Sequence, residues 1–486
     1  MHYIGVALGV FVSFFIMTKY LDPEVIGLTK VLYEIAFLLS TFASLGAGSV
    51  GMRFFPYFKD EATGDHGFFY YFRLMPAAGI VLFSLLFIVL QQPIISFFGH
   101  SSEQLGDYIY FVLPLFWVLT IWQFFESFAN IHMRIAIPKG VREVGMRLMQ
   151  LGIFLAYGFH LIDITGVVVS YIVCYGVCMV TDGIYCSHIG SMETRHDWHF
   201  FTPNLRVQVL KYAGFLTLAT ISGNVLSQVD VFMLSSVKGL YDVGIYTIVL
   251  YMAEVVNMPS RSITPIASPL AAQAIKEGDM EQATSLYRQV SVHQTLASSV
   301  LLLFVWINLD NIFSLIPRGT EYEAGKWAVL FMGLGKILYS MLNFGNTLIS
   351  FSRYYYWTLV FTIVLTFVSI GTNLYFIPLY GINGAALATL IAILLSYAFQ
   401  QVLVQWKLKC NPFSWAHLRI VLVVVILYGI NFLIPSLLSA DRSVLSAIGD
   451  GVVRSLVLGL IAVALIYVFR ISEQINGMIR KLGIRS

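Results

Sequence analysis

Apolar residues in this chain are grouped in long unbroken runs. They show neither the strict alternation of a half-buried strand nor the narrow stripe of a surface helix. Between charged, Gly and Pro punctuation there are fourteen runs: 1–19, 31–52, 67–91, 107–131, 143–162, 166–187, 208–236, 242–268, 289–309, 325–350, 355–378, 382–405, 418–438 and 449–470. All but the first reach the roughly 20 residues that a helix needs to cross a hydrocarbon core of about 30 Å. The longest connections are about 20 residues, too short for a folded soluble domain. The pattern therefore predicts an all-α integral membrane protein of about fourteen transmembrane helices, which acts in or beside the bilayer.

Composition agrees. Of 486 residues, 58% are hydrophobic and 11% charged, less than half the roughly 25% charged fraction of a soluble domain. So little polar surface cannot cover a globule, which excludes a cytosolic or secreted enzyme, a disordered chain and a fibrous protein. The net charge of +3 is too small, and its basic residues too scattered, for a nucleic-acid partner. Four cysteines, Cys174, Cys178, Cys186 and Cys410, fit no disulfide framework. The basic residues do set an orientation. Nineteen Lys and Arg fall in one set of alternate loops and span ends, six in the other and four within runs. The positive-inside rule then places both termini in the cytoplasm, consistent with an even number of crossings. The first run is about ten residues shorter than its counterpart further along, so the natural start is expected upstream of Met1.

That counterpart belongs to an internal repeat. Ile26-Gly27 corresponds to Val243-Gly244, and Lys59-Asp60 to Lys276-Glu277, at an offset of 217. Phe128-Ala129-Asn130 matches Phe344-Gly345-Asn346 at 216, and Ile164-Thr165-Gly166 matches Ile382-Asn383-Gly384 at 218. Each copy holds six runs, so both cross in the same sense about an axis along the membrane normal. The expected organisation is a six-helix lobe at 1–187, a cytoplasmic linker at 188–207, and a second six-helix lobe at 208–405. A linker at 406–417, two further helices at 418–470 and a cytoplasmic tail at 471–486 complete it. Such lobes enclose a cavity and rock against one another, as in a transporter.

Several segments carry a family resemblance. Gln228-Val229-Asp230-Val231-Phe232-Met233-Leu234, then Val243-Gly244-Ile245-Tyr246 and Pro265 to Pro269, look like the start of the second lobe of bacterial polysaccharide flippases. These belong to the multidrug/oligosaccharidyl-lipid/polysaccharide exporter superfamily. Arg53-Phe54-Phe55-Pro56-Tyr57-Phe58 and Tyr380-Gly381-Ile382-Asn383-Gly384-Ala385-Ala386 are similar to that family too. The resemblance implies movement of an undecaprenyl-diphosphate-linked oligosaccharide across a bacterial inner membrane for surface polysaccharide (O-antigen, lipopolysaccharide or capsule) biosynthesis. It implies no cofactor and no enzymatic activity; expected partners are membrane lipids, polysaccharide polymerase or assembly proteins, and a coupling proton or sodium ion. An ion-coupled multidrug exporter of the same superfamily is the alternative, and a membrane glycosyltransferase or polymerase the second. Short, plain loops argue against the enzyme.

A sugar hydroxyl stripped of water without a partner costs roughly 2–7 kcal/mol. A flippase therefore needs a wet polar site for the headgroup, cations for the diphosphate and an apolar opening for the tail. Ionisable residues inside spans are functional candidates by default. Arg261 and Lys336 are expected to pair with phosphate, or else with a structural acid such as Asp230 or Glu254. Arg53, at a cytoplasmic span end, either joins them or snorkels to lipid headgroups. Glu34, Asp230 and Glu254 are expected to carry the coupling ion or to form structural salt bridges, whereas Glu126 and Asp182 read as solvated. Helix breakers at matching places, Gly46 and Gly48 in one copy and Pro259 and Pro265 in the other, suggest hinges.

Other signals point elsewhere. Gly46-Ala47-Gly48-Ser49-Val50-Gly51 matches a dinucleotide fingerprint but lies inside an apolar run. Gly335-Lys336 lacks the rest of a phosphate loop. His196 and His199 read as a solvated loop, so no metal is expected. Cys174 and Cys178 read as small packing residues. Tyr354-Tyr355-Tyr356-Trp357 fits an interfacial belt, and 271–288 reads as an amphipathic stretch along the membrane surface.

Overall fold

Inside hydrocarbon a backbone N–H or C=O has no water to bond, so every apolar run is driven into a helix. The computed structural model describes residues 2–60, 65–99, 102–189, 202–435, 444–472, 474 and 476–477. Each of the fourteen runs lies wholly or mostly on helix. Among the described residues, eight helices are long and apolar enough to cross a membrane. The Leu240–Val256 and Met258–Glu277 pair, bent by 45°, makes a ninth if counted as one span. Ala7–Tyr20 and Trp415–Asn431 are shorter apolar helices. The protein is a multi-pass, all-helical membrane protein. His196, His199 and most of the expected 188–207 linker and 471–486 tail lie outside the described residues.

The runs 355–378 and 382–405 share one helical segment of 53 residues, Tyr356–Leu408. It is not one rod. Thr372 Oγ1 lies 3.2 Å from the Ala388 carbonyl, whereas residues sixteen apart in a straight helix are separated by about 24 Å. The reversal is at Gly381, whose φ of 55° and ψ of −127° suit glycine alone. Gly384 tightens the hairpin: a Cβ there would lie 2.0 Å from the Phe376 carbonyl oxygen. These are two spans joined by almost no loop.

Helix ends follow the repeat. Pro23–Phe58 is matched by the 240–277 pair, and Ile164–Ile189 by 382–408. Both members of the first pair are broken in mid-span. In the first, Leu45 and Gly46 adopt positive φ (46° and 70°) between the Pro23–Ala43 and Ala47–Phe58 helices. In the second, the break is at Asn257, two residues before Pro259 near the start of the next helix. Gly48 lies two residues beyond its break, and Pro265 sits within a helix that runs on through it.

The chain divides into two compact units, Met1–Gly244 and Ile245–Ser486. In the first, phenylalanines dominate the packing; Phe54, Phe55, Phe58, Phe68, Phe72, Phe124 and Phe128 form one buried cluster. In the second, the two C-terminal helices are tied down by a buried polar network. Arg454 Nε donates to Asp450 Oδ2 at 2.6 Å and its Nη1 to Asn431 Oδ1 at 2.8 Å, while Asn311 Nδ2 reaches the same Asp450 oxygen at 2.7 Å. Asp450 and Arg454 are both buried. Removing one partner of a buried pair leaves an uncompensated charge, at about 3–5 kcal/mol. Asp450→Leu should therefore lower the thermal unfolding midpoint sharply, and adding Arg454→Met should restore most of it. Equal midpoints for the single and double variants would contradict this.

Two sequence expectations need correcting. The 271–288 stretch is amphipathic but not one surface helix: it is the end of the Met258–Glu277 helix, where Ala271 and Ala274 are fully buried, and the start of the Met280–Ile307 helix. The former stops at Gly278 (φ 76°), and the latter is capped by Asp279, whose Oδ1 accepts the Gln282 N–H at 2.8 Å. Asp182 is not solvated; it is fully buried and accepts a 2.7 Å hydrogen bond from Trp122 Nε1. Glu126 is paired with Arg142, whose guanidinium lies 4.9 Å from the Trp122 ring. Both were misread because position along a span says nothing of which way a side chain faces.

Candidate functional site

Helix Leu240–Val256 carries Glu254 in its last turn. Asn257 interrupts the helix and donates from Nδ2 to Glu254 Oε1 at 3.0 Å. Pro259, which has no N–H to offer, starts the next helix without loss. The bend returns Arg261 to the same carboxylate, and Arg261 Nη2 pairs with Glu254 Oε1. From the Lys326–Leu342 helix, Lys336 Nζ reaches the other oxygen, Oε2, at 2.8 Å. Two cations thus share one acid, for a net charge of +1. Arg261 is more than half exposed, and Lys336 and Glu254 partly so. A guanidinium and an ammonium held side by side with donors left over can take an anionic ligand. Tyr339, three residues beyond Lys336, lies close enough to interact electrostatically with Glu254 and Arg261.

The same Lys326–Leu342 helix forms a wall of an apolar groove of about 510 Å³. Leu330, Leu334 and Ile337 face Leu302, Leu303 and Trp306 of the Met280–Ile307 helix and Val421, Val424 and Val425 of the Trp415–Asn431 helix. Ser299 and Tyr428 also line it. One helix therefore carries a cation and an acyl-chain-sized apolar surface within two turns.

The remaining candidates are elsewhere. Arg53 is exposed in the first unit, with its guanidinium 4.2 Å from the Tyr212 ring centroid and 5.6 Å from that of Phe54. Glu34 is 3% exposed and paired with Lys30 one turn earlier. Asp230 is buried, and its Oδ1 accepts the Val231 N–H at 2.9 Å. Of the six charged candidates, the fold thus unites Arg261, Lys336 and Glu254. Asn257 and Tyr339 escaped the sequence reading. Asn257 sits where the helix breaks, which was a usable signal; a tyrosine among 27 was not.

Comparison with known proteins gives a consistent picture. The family model described as polysaccharide biosynthesis protein matches residues 1–274, and the MatE model matches residues 216–379. No curated protein matches the chain. Among solved structures, the lipid II flippase MurJ in an inward closed conformation is similar at a TM-score of 0.69 and 15% identity, over 94% of this chain and 97% of that one. A point mutant of the Vibrio cholerae MATE transporter VcmN is similar at 0.53 and 13%, over 83% and 93%. A MOP superfamily transporter from Pyrococcus furiosus is similar at 0.51 and 14%, over 79% and 88%. At these identities the likeness is one of fold.

Proposed function

This chain belongs to the polysaccharide biosynthesis protein family, and from that membership we propose that it is a flippase for a lipid-linked oligosaccharide. The cargo is an undecaprenyl-diphosphate-linked glycan moved from the cytoplasmic to the outer leaflet of a bacterial inner membrane, by alternating access of two six-helix lobes with both termini cytoplasmic. The observation that carries the reading is the Arg261–Glu254–Lys336 cluster on the helix that walls the apolar groove. A lipid diphosphate needs both halves: cations for the phosphates and an apolar track for the tail. The likeness to MurJ, a lipid II flippase, supports the same substrate class. Glu254 lowers the cluster's charge without cancelling it, so the resting site is stable yet still attracts an anion. Glu34 and Asp230, both buried, are the acids proposed to carry a coupling proton or sodium ion.

The MATE-like matches keep a cation exporter in view. A site of net charge +1 opposes a cationic drug, so the two readings separate in one assay. Purified protein in phospholipid vesicles should speed the transfer between leaflets of a fluorescent polyprenyl-diphosphate hexose well above protein-free vesicles. It should not accumulate tetraphenylphosphonium. Cation accumulation without lipid transfer would overturn the proposal.

A further inference from the structure

The first unit contains a polar pocket at mid-span that the cluster above does not use. It has a volume of about 150 Å³ and lies where the Pro23–Phe58 span breaks. Ser44 and Ser49 line it from that span, and Thr120, Gln123 and Ser127 from the Val112–Ile131 helix. No ionisable side chain is among its described lining residues. Two of the hydroxyls are already oriented. Ser44 Oγ donates to the Thr41 carbonyl at 2.8 Å, and Thr120 Oγ1 to the Phe116 carbonyl at 2.7 Å, so each presents lone pairs to the pocket. Pro76, on the wall, has no N–H for the Phe72 carbonyl one turn back. Space is kept open by Gly48, where a Cβ would lie 2.8 Å from Ser127 Oγ. The result is an uncharged cavity at membrane depth, rich in acceptors, with an amide that can donate or accept.

The repeat tells what this cavity corresponds to. Ser44 and Arg261 are 217 residues apart, while Thr120 and Lys336, and Gln123 and Tyr339, are each 216 apart. These are the offsets of the repeat itself. The positions of the two cations, Arg261 and Lys336, and of the neighbouring Tyr339 are therefore neutral hydrogen-bonding residues in the other copy, while Glu254 corresponds to Phe37. An acceptor-rich neutral pocket would leave a phosphate, itself an acceptor, without a counter-charge. It suits a ligand that brings many hydroxyl donors, and its volume admits one pyranose ring or about five waters at roughly 30 Å³ each.

We propose that the pocket lined by Ser44, Ser49, Thr120, Gln123 and Ser127 is a subsite for an uncharged sugar ring of the headgroup. This rests on the flippase reading and deepens it by naming a sugar-binding role for the first unit. The experiment is equilibrium binding to the full chain in phospholipid nanodiscs free of glycoside detergent. The probes are a polyprenyl diphosphate and the same lipid bearing one neutral hexose. The wild type should bind the hexose-bearing lipid about tenfold more tightly, and Gln123→Leu and Ser127→Ala, read separately, should each cut that ratio to about threefold or less. A wild-type ratio near one, or a full ratio kept in both variants, overturns the subsite while Lys336-dependent binding of both lipids leaves the flippase reading standing. Failure of the wild type to bind either lipid overturns both. A tenfold excess of free methyl hexoside should leave binding of the hexose-bearing lipid within twofold; full displacement would assign the pocket to free sugar and overturn the lipid-linked assignment.

Discussion

Lys336→Glu is expected to stop the proposed lipid-diphosphate transfer, with a loss of at least about a hundredfold in rate per folded protein, while Glu254→Gln should keep most of it. The asymmetry follows from which side of the cluster meets the substrate. A hydrogen bond between charged groups contributes about 1.5–3 kcal/mol, or roughly ten- to 150-fold for one contact. Reversing Lys336 removes that contact and sets a second acid against the diphosphate, with Glu254 2.8 Å from where the ammonium was. Arg261→Gln should fall between these extremes, since Lys336 stays. Glu254→Gln frees both cations for the anion. If the three residues were merely a structural tie, loss of the shared acid would be as harmful as loss of either base, because both cations converge on it. Transfer rates for the four proteins, normalised to monodisperse protein, decide between these views. Equal losses in Lys336→Glu and Glu254→Gln would remove the substrate role.

The second large effect concerns Gly27 and Gly244, which are related by the repeat and pack reciprocally. A Cβ on Gly27 would lie 1.9 Å from the Leu240 carbonyl oxygen, and one on Gly244 would lie 1.8 Å from that of Pro23. Both obstacles are backbone, so no side-chain rotation relieves them. The first turns of the two helices would have to separate, and their neighbours with them. Gly27→Ala and Gly244→Ala are each expected to lower transfer about tenfold or more and to reduce the thermal midpoint. The double variant should be little worse than the poorer single, because either methyl opens the same crossing. Gly371→Ala is the control. Nothing lies within 4 Å of a Cβ there, and alanine favours a helix over glycine by about 1 kcal/mol. Wild-type transfer and stability in Gly27→Ala would show that the close crossing is not needed.

Much of this was legible from residue order. Hydrocarbon leaves the backbone no choice but helix, so runs of apolar residues located the helices, and a 217-residue offset marked the repeat. Arg261, Lys336 and Glu254 stood out because charge inside a span is too costly to be idle. Their convergence could not be read. It depends on a 45° bend at Asn257 and on a third helix 75 residues further along the chain from Arg261.

Residue order thus determined the solvent of the protein, its helices, its duplication and the short roster of charged candidates, because each is a one-dimensional consequence of burying the backbone in lipid. Tertiary structure alone decided which acid the two cations share, which glycines bring backbones into contact, and that Asp182 is buried rather than wet. It also decided that neutral Ser44, Thr120 and Gln123 line a cavity. Those outcomes depend on the direction of individual side chains and on distances of a few ångströms between helices distant in sequence. Hydropathy and spacing carry neither.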